Sequence, residues 1–456
     1  MNRIARRSAI VLILVLALAA GMVFFFGEYL TKSESWITFS GSPHIYDDTG
    51  KVASGTVTDR NGTLLVDLSQ GRDYTTDSAL RQAMLHWVGD RQGNITVPYL
   101  KTYSKALVGF DITSGIYAYG DTKGSVRLTL SAEVQKVAME AMGSYKGTVA
   151  VYNYKTGELI CAVTTPNFDP EAIPDLSQDT EGIYEGVYWN RFLQSKYIPG
   201  SIFKIVTTAA VLETMPELAH ETFTCSGTYE LVGGDVTCEH SHGTQNLKEA
   251  FCNSCNCVFA QLAQRIGADR LRDFVDYAGV MDPVSFDGYT TTAGNFDLQG
   301  ASEEQVAWSA IGQHKDQINP CAFLNFIGAI ASDGAGVQPH VVAEVSIGQQ
   351  ETYRAATQKN ERIISKSTAE YLQEYMRNNV VTKYGQENFP DLVICAKSGT
   401  GEVGGERKPN AMFAGFVSDE AYPLAFIVAV EDGGYGTQVC VPILTAVLEA
   451  CMAQLP

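Results

Sequence analysis

Tyr197-Ile-Pro-Gly-Ser-Ile-Phe-Lys-Ile-Val206 is the stretch from which the rest of the chain is read. A serine hydroxyl is a weak nucleophile at neutral pH and needs a base within hydrogen-bond reach. Lys204 supplies one to Ser201 if both lie on a helix, where residues i and i+3 share a face. Pro199-Gly200 is a suitable helix entry, and Ile205, Val206, Ala209, Ala210 and Leu212 give the segment the apolar backing of a buried helix. Ser201 would then sit at the N-terminal end, where free backbone N–H groups can stabilise an oxyanion. Alone, Ser-x-x-Lys arises by chance in most chains of this length. Two further segments remove the coincidence: Ser254-Cys-Asn256 adds a hydroxyl and an amide, and Lys397-Ser-Gly-Thr400 adds an amine and two hydroxyls beyond the strand-like run Leu392–Ala396. Together they point to serine acyl transfer.

In order and spacing these segments resemble the S-x-x-K, S-x-N and K-[ST]-G motifs of the penicillin-binding proteins, over roughly residues 50 to 456. Their surroundings resemble the monofunctional, class B branch. Tyr197–Val206 is similar to its P-P-G-S-T-F-K run, Asn253-Ser-Cys-Asn256 with Phe259–Ala263 to its N-S-C-N helix, and Lys397–Val403 continues the third match. Thr56–Gly62 looks like the D-R-N-G segment that opens the family's pedestal, and Tyr154–Glu158 like the first hairpin of its catalytic domain. Two positions depart: Ser54 stands where the family has Arg before the glycine, and Ile202 where it has Thr.

The resemblance implies a peptidoglycan D,D-transpeptidase, with D,D-carboxypeptidase action as a side activity. Ser201 would attack the penultimate D-Ala carbonyl of a stem peptide ending in D-Ala-D-Ala, or a β-lactam, after Lys204 takes its proton. The backbone N–H groups of Ser201 and Thr400 would form the oxyanion hole. Ser254 would relay a proton to the leaving amine and Asn256 would hold the substrate amide. Lys397, with Ser398, Gly399 and Thr400, would hold the terminal carboxylate. For Lys204 to act as a base its pKa must fall well below about 10.4, through burial and the charge of Lys397. No metal or organic cofactor is required. A membrane glycosyltransferase of the cell-wall machinery is the partner implied by resemblance. A β-lactamase and a β-lactam-binding sensor share the motifs. The first is usually shorter and without a pedestal, and the second needs a larger transducing part than the eight residues before the apolar run.

Composition agrees. With 51 acidic against 33 basic residues the net charge is −18, so no basic face is available to neutralise nucleic-acid phosphates. Arg3, Arg6 and Arg7 precede an uncharged apolar run, Ala9–Gly27. Its nineteen residues, at ~1.5 Å each, reach about 28 Å, enough to cross a bilayer and longer than a signal-peptide core. The Ala17-Leu18-Ala19 pattern favours cleavage, but Met22–Phe26 prolongs the run and favours an anchor. Basic residues ahead of it place residues 1–8 in the cytoplasm and the remainder outside. The expected architecture is α+β: a cytoplasmic tail (1–8), a transmembrane anchor (9–27), a linker and pedestal (28–124), and a transpeptidase domain (125–456) of antiparallel sheet flanked by helices. Ser131 should cap a helix, Gly147–Val163 should form a hairpin turned at Lys155-Thr-Gly157, Ala411–Val417 and Pro423–Val430 should be strands, and an apolar helix should close the chain from about Val439.

Ten cysteines remain. Cys225 and Cys238 bracket a glycine-containing, hairpin-like segment and could form a disulfide. The same pair with His240 and His242 has the ligand types of a tetrahedral zinc site, and free thiols are the third reading. Cys252, Cys255 and Cys257 read as small packed residues.

Overall fold

The computed structural model describes residues 2–37, 52–109 and 123–455; two stretches of the expected linker and pedestal (28–124), residues 38–51 and 110–122, lie outside them. The chain opens on a 36-residue helix, Asn2–Ile37. Its most apolar stretch is wholly unburied, with a mean hydropathy of 3.0, and the helix contains the expected span. A helix of this length extends ~54 Å, so it can cross a hydrocarbon layer and continue beyond it. The closing helix, Gly436–Gln454, is also long and apolar, but it is partly buried against the sheet and belongs to the core.

A five-stranded antiparallel sheet organises the expected catalytic part, in the order Ile394–Gly401, Asn410–Val417, Leu424–Val430, Gly147–Asn153, Leu159–Thr165. Every residue of the third strand is buried, because both faces are covered. Phe426 and Val428 pack with Val149, Val151 and Phe413 under the helices Ala132–Met142 and Gly436–Gln454, while Ala425, Ile427 and Ala429 face the helix Pro320–Ala331. Small residues dominate that second face because the helix lies close: a Cβ on Gly328 would fall 1.5 Å from the Tyr152 hydroxyl oxygen. Ser131 caps its helix by accepting from the Val134 N–H, and the hairpin turns at Lys155–Gly157 as expected. The third motif lies inside the edge strand rather than beyond a strand ending at Ala396.

The pedestal sheet is discontinuous in sequence. Its order is Gln350–Arg354, Val342–Ile347, Gly124–Leu128, Thr56–Thr58, Leu64–Asp67, Asp73–Tyr74. Only the pairing of Thr56–Thr58 with Gly124–Leu128 is parallel. The strands at 342–354 thus leave the catalytic core to complete the pedestal.

Helix Ser78–Val88 fastens the expected pedestal to the five-stranded sheet and its surroundings. Asp77 caps it, Trp87 donates from Nε1 to the Ala162 carbonyl at 2.7 Å, and Arg81 makes a two-pronged contact with Asp169 at 2.7 and 2.6 Å. Those bonds hold the Asp169 carboxyl down to about 2. His86 is wholly buried and bonds the Val187 carbonyl through Nε2 at 2.8 Å, which requires the Nε2–H form. Burial pushes its pKa down to about 4. The folded state therefore keeps His86 neutral where the unfolded chain, titrating near 6.5, binds a proton, and stability falls as pH drops from 6.5 towards 4. The loss amounts to roughly 3 kcal/mol. Thermal melts of wild type and His86→Gln across that range should show a shallower decline in the variant; parallel declines would remove His86 as the titrating group.

Candidate active site

The nucleophile candidate stands where two backbones touch. Ser201 lies in a 3-10 turn, Gly200–Phe203, which leads directly into the helix Lys204–Thr214. Gly200 has φ +53, and a Cβ there would fall 2.1 Å from the Thr400 carbonyl oxygen; on Gly399 and Gly401 it would fall 2.6 Å from the Pro199 and 2.1 Å from the Ile198 carbonyl oxygens. Any side chain at Gly200 would separate the turn from the edge strand and carry a left-handed backbone as well. Ile202, the departure from the family pattern, is buried beneath the turn beside Gly399.

Lys204 and Lys397 are both buried and meet over one hydroxyl. Lys204 Nζ donates to Ser254 O at 2.6 Å, Ser254 Oγ at 3.1 Å and Asn256 Oδ1 at 2.7 Å. Lys397 Nζ donates to Ser254 Oγ and to the Ser398 carbonyl, each at 3.1 Å. Aromatic rings floor both amines, Phe259 under Lys204 and Phe251 under Lys397. Burial pushes Lys204 down to about 8; burial, then the neighbouring Lys204 charge, pushes Lys397 well below its ordinary value. Two amines at one hydroxyl in a desolvated pocket disfavour two charges, so one is readily neutral and able to accept a proton. Among the described residues Ser201 Oγ makes no hydrogen bond, and Lys204 places its donors on Ser254 and Asn256 instead. Catalytic contacts of this kind often tighten only when substrate arrives.

Ser254 is held in a left-handed conformation, φ +52. It ends the helix Leu247–Cys252, with its N–H on the Phe251 carbonyl and the Cys255 N–H on the Ala250 carbonyl. Asn256, expected to hold a substrate amide, has its oxygen on Lys204 and its Nδ2 on the Thr237 carbonyl at 2.9 Å. It serves first as a tie between the lysine and the hairpin Thr228–Thr237.

Sequence reasoning missed Tyr384, which carries no motif and reaches the site through a π-turn, Val380–Tyr384, at the end of the helix Lys366–Asn379. The Ser398 N–H donates to its hydroxyl oxygen at 2.9 Å, and the Tyr384 and Ser398 hydroxyls share a second hydrogen bond at 3.0 Å. Ser398 is therefore already engaged. That bond also fixes direction: along an extended edge strand N–H groups alternate, so the Thr400 N–H points outward on the same side as that of Ser398. There it adjoins the Ser201 turn, as an oxyanion hole requires. Gln313, which donates to the Thr400 carbonyl at 3.3 Å, was likewise missed.

Ser201, Ser254, Asn256, Ser398, Gly399 and Thr400 line a cleft of about 890 Å³ together with Trp308, Tyr435, Glu239, Glu304 and Glu402. At its rim the cysteine reading changes. All ten cysteines are free, so Cys225 and Cys238 are not bridged. Cys225, Cys238 and His242 converge, but Cys255 rather than His240 completes the group; His240 is exposed, and the turn carries only His242 inward.

Residues 147–449 match the family described as penicillin binding protein transpeptidase domain. The peptidoglycan D,D-transpeptidase PbpA of Mycobacterium tuberculosis is 26% identical over 392 residues, 79% of each chain. The stage V sporulation protein D of Bacillus subtilis is 26% identical over 72% of this chain and 54% of its own. The imipenem acyl-enzyme complex of M. tuberculosis penicillin-binding protein A superposes with a TM-score of 0.75 at 25% identity, covering 88% of this chain and 98% of the other.

Gly200→Ala should fold and yet lose at least about a hundredfold in the rate of covalent labelling by a fluorescent penicillin, because the turn is displaced from the Thr400 N–H. Labelling near the wild-type rate would show that the contact does not set the site.

Proposed function

Because this chain belongs to the penicillin-binding protein transpeptidase family, we propose that it is a serine D,D-transpeptidase that cross-links peptidoglycan stem peptides through an acyl-enzyme on Ser201 and is acylated there by β-lactams. The observation that carries the reading is the pair of buried lysines converging on Ser254 Oγ, 3.1 Å from each, beside a serine that faces the cleft. The names of the relatives, D,D-transpeptidase and β-lactam acyl-enzyme, agree with it.

In this reading Lys204, neutral, takes the Ser201 proton as Oγ attacks the penultimate D-Ala carbonyl. The developing oxyanion lies between the N–H groups of Ser201 and Thr400. The proton passes from Lys204 through Ser254, already bonded to both lysines, to the departing D-Ala amine, and Lys397 holds the relay in place. Lys397 contacts the Ser398 carbonyl, so its N–H donors, with the Thr400 hydroxyl, favour a substrate carboxylate along the edge strand. The acceptor stem's amine then attacks the acyl carbonyl and the same relay runs in reverse. Glu239, Glu304 and Glu402 make the rim of the cleft acidic, which favours approach of a cationic acceptor amine. Arginines on the short side of the apolar helix support a cytoplasmic N-terminus and a catalytic part outside. A chain of this kind would work beside a membrane glycosyltransferase that makes the glycan.

Intact-protein mass spectrometry of the detergent-solubilised chain with benzylpenicillin tests this. A single stable adduct, absent in Ser201→Ala, is expected; fast loss with hydrolysed drug accumulating would make the enzyme a β-lactamase, and an adduct persisting in the variant would move the nucleophile elsewhere. The acylation rate should also climb about tenfold per pH unit up to about 8, where Lys204 loses its proton, and then level off. A rate flat between pH 6 and 8 would remove Lys204 as the base.

A further inference from the structure

The segment between Cys225 and Gly243 has little of its own to hold it. Strand Thr222–Cys225 leads into the hairpin Thr228–Leu231 and Gly234–Thr237, in which only Val236 is buried. The chain then turns through His242 into the strand Gly243–Asn246, which pairs back on Thr222–Cys225. Yet this weakly packed hairpin supplies the Thr237 carbonyl that anchors Asn256, and Glu239 and His240 at the cleft.

Four ligand atoms converge at its base. Cys225, Cys238, His242 and Cys255 each direct one atom to a common point, all within 4.8 Å of one another. Cys238 Sγ lies 3.7 Å from Cys255 Sγ, and Cys225 Sγ lies 3.5 Å from His242 Nδ1. Around a tetrahedral zinc ion with Zn–S of ~2.3 Å and Zn–N of ~2.0 Å, sulfurs stand ~3.8 Å apart and sulfur and nitrogen ~3.5 Å apart. A disulfide would instead need ~2.05 Å. The Cys257 N–H points at Cys238 Sγ at 3.4 Å, the kind of outer contact that stabilises a metal-bound thiolate. Three thiolates and an imidazole suit zinc over magnesium or calcium.

We propose that Cys225, Cys238, His242 and Cys255 bind a single zinc ion that closes the hairpin and pins the Ser254–Asn256 turn against it. Cys255 lies between the two residues that Lys204 contacts, so a bond from its sulfur to the metal fixes the backbone that presents Ser254 Oγ to both lysines. The ion takes no part in acyl transfer and positions the relay from outside. Loading replaces the thiol protons with the metal, so those protons are released on binding.

The test uses the full chain, purified in detergent under reducing, anaerobic conditions, with zinc and cobalt as probes. Elemental analysis should find about one zinc per chain, and cobalt loading should give the thiolate charge-transfer and tetrahedral bands of a sulfur-rich site. Cys225→Ser and Cys255→Ser should weaken metal binding at least about tenfold, whereas Cys252→Ser and His240→Ala should retain it. Should the serine variants fail to fold, the cobalt spectrum of the wild-type chain still decides. Metal at background, a non-tetrahedral cobalt spectrum, a Cys238–Cys255 disulfide in peptide mapping, or loss of metal in His240→Ala would each overturn the site. Removing zinc with a chelator should slow penicillin acylation about tenfold, with recovery on adding zinc back; an unchanged rate in metal-free protein would overturn the pinning. This last arm rests on the transpeptidase reading, but metal content does not. A zinc-loaded chain that never reacts with penicillin would therefore count against that reading and leave the site standing.

Discussion

Two amines and one hydroxyl, enclosed away from water, are the constraint around which the rest is arranged. Burying a single lysine is costly, and burying two within reach of the same oxygen is costlier, because each charge disfavours the other. The fold offsets this with oxygens aimed at the amines: the Ser254 and Ser398 carbonyls, the Asn256 amide oxygen and Ser254 Oγ itself. Aromatic faces lie where no donor is directed. The tension that remains is useful, since an environment that resists a second positive charge produces a lysine able to take a proton near neutral pH.

Everything that aims those oxygens must be rigid, and rigidity comes from backbone meeting backbone. The turn at Ile198–Ser201 presses on Gly399–Gly401 at distances only glycine allows, so the proposed nucleophile and the proposed oxyanion donors share one interface. The central sheet is covered on both faces, which fixes its edge strand in turn. Tyr384 braces that strand from outside at Ser398.

Legibility in the sequence followed the range of the interaction. Ser201 and Lys204 could be paired because their relation is local, set by the helix into which the turn runs. The hairpin at Lys155–Gly157 and the capped helix after Ser131 were legible for the same reason. Tyr384 was not, because a lone tyrosine delivered by a π-turn leaves no periodic trace. Nor was the membership of Cys255: read along the chain it is one of three clustered small residues, and only the fold of a separate hairpin brings Cys225, Cys238 and His242 to it. Asn256 was found by its motif, but its engagement with Lys204 depended on a carbonyl nineteen residues upstream. The strands at 342–354 read as part of the catalytic segment because sequence order says nothing of which sheet a strand will join.

Those returning strands bear on how the molecule comes into being. Ser125 and Ser346 touch across the pedestal sheet although 221 residues separate them. Emerging from its N-terminus, the chain presents Thr56–Asp67 and then Gly124–Leu128 with one edge unpaired until most of the catalytic core has followed. Such non-local closure is slow, because a long loop must be ordered before its contacts form. Pedestal and catalytic core are therefore poor candidates for separate expression or exchange between relatives: cutting at the apparent boundary would leave a strand edge open to pairing with other chains.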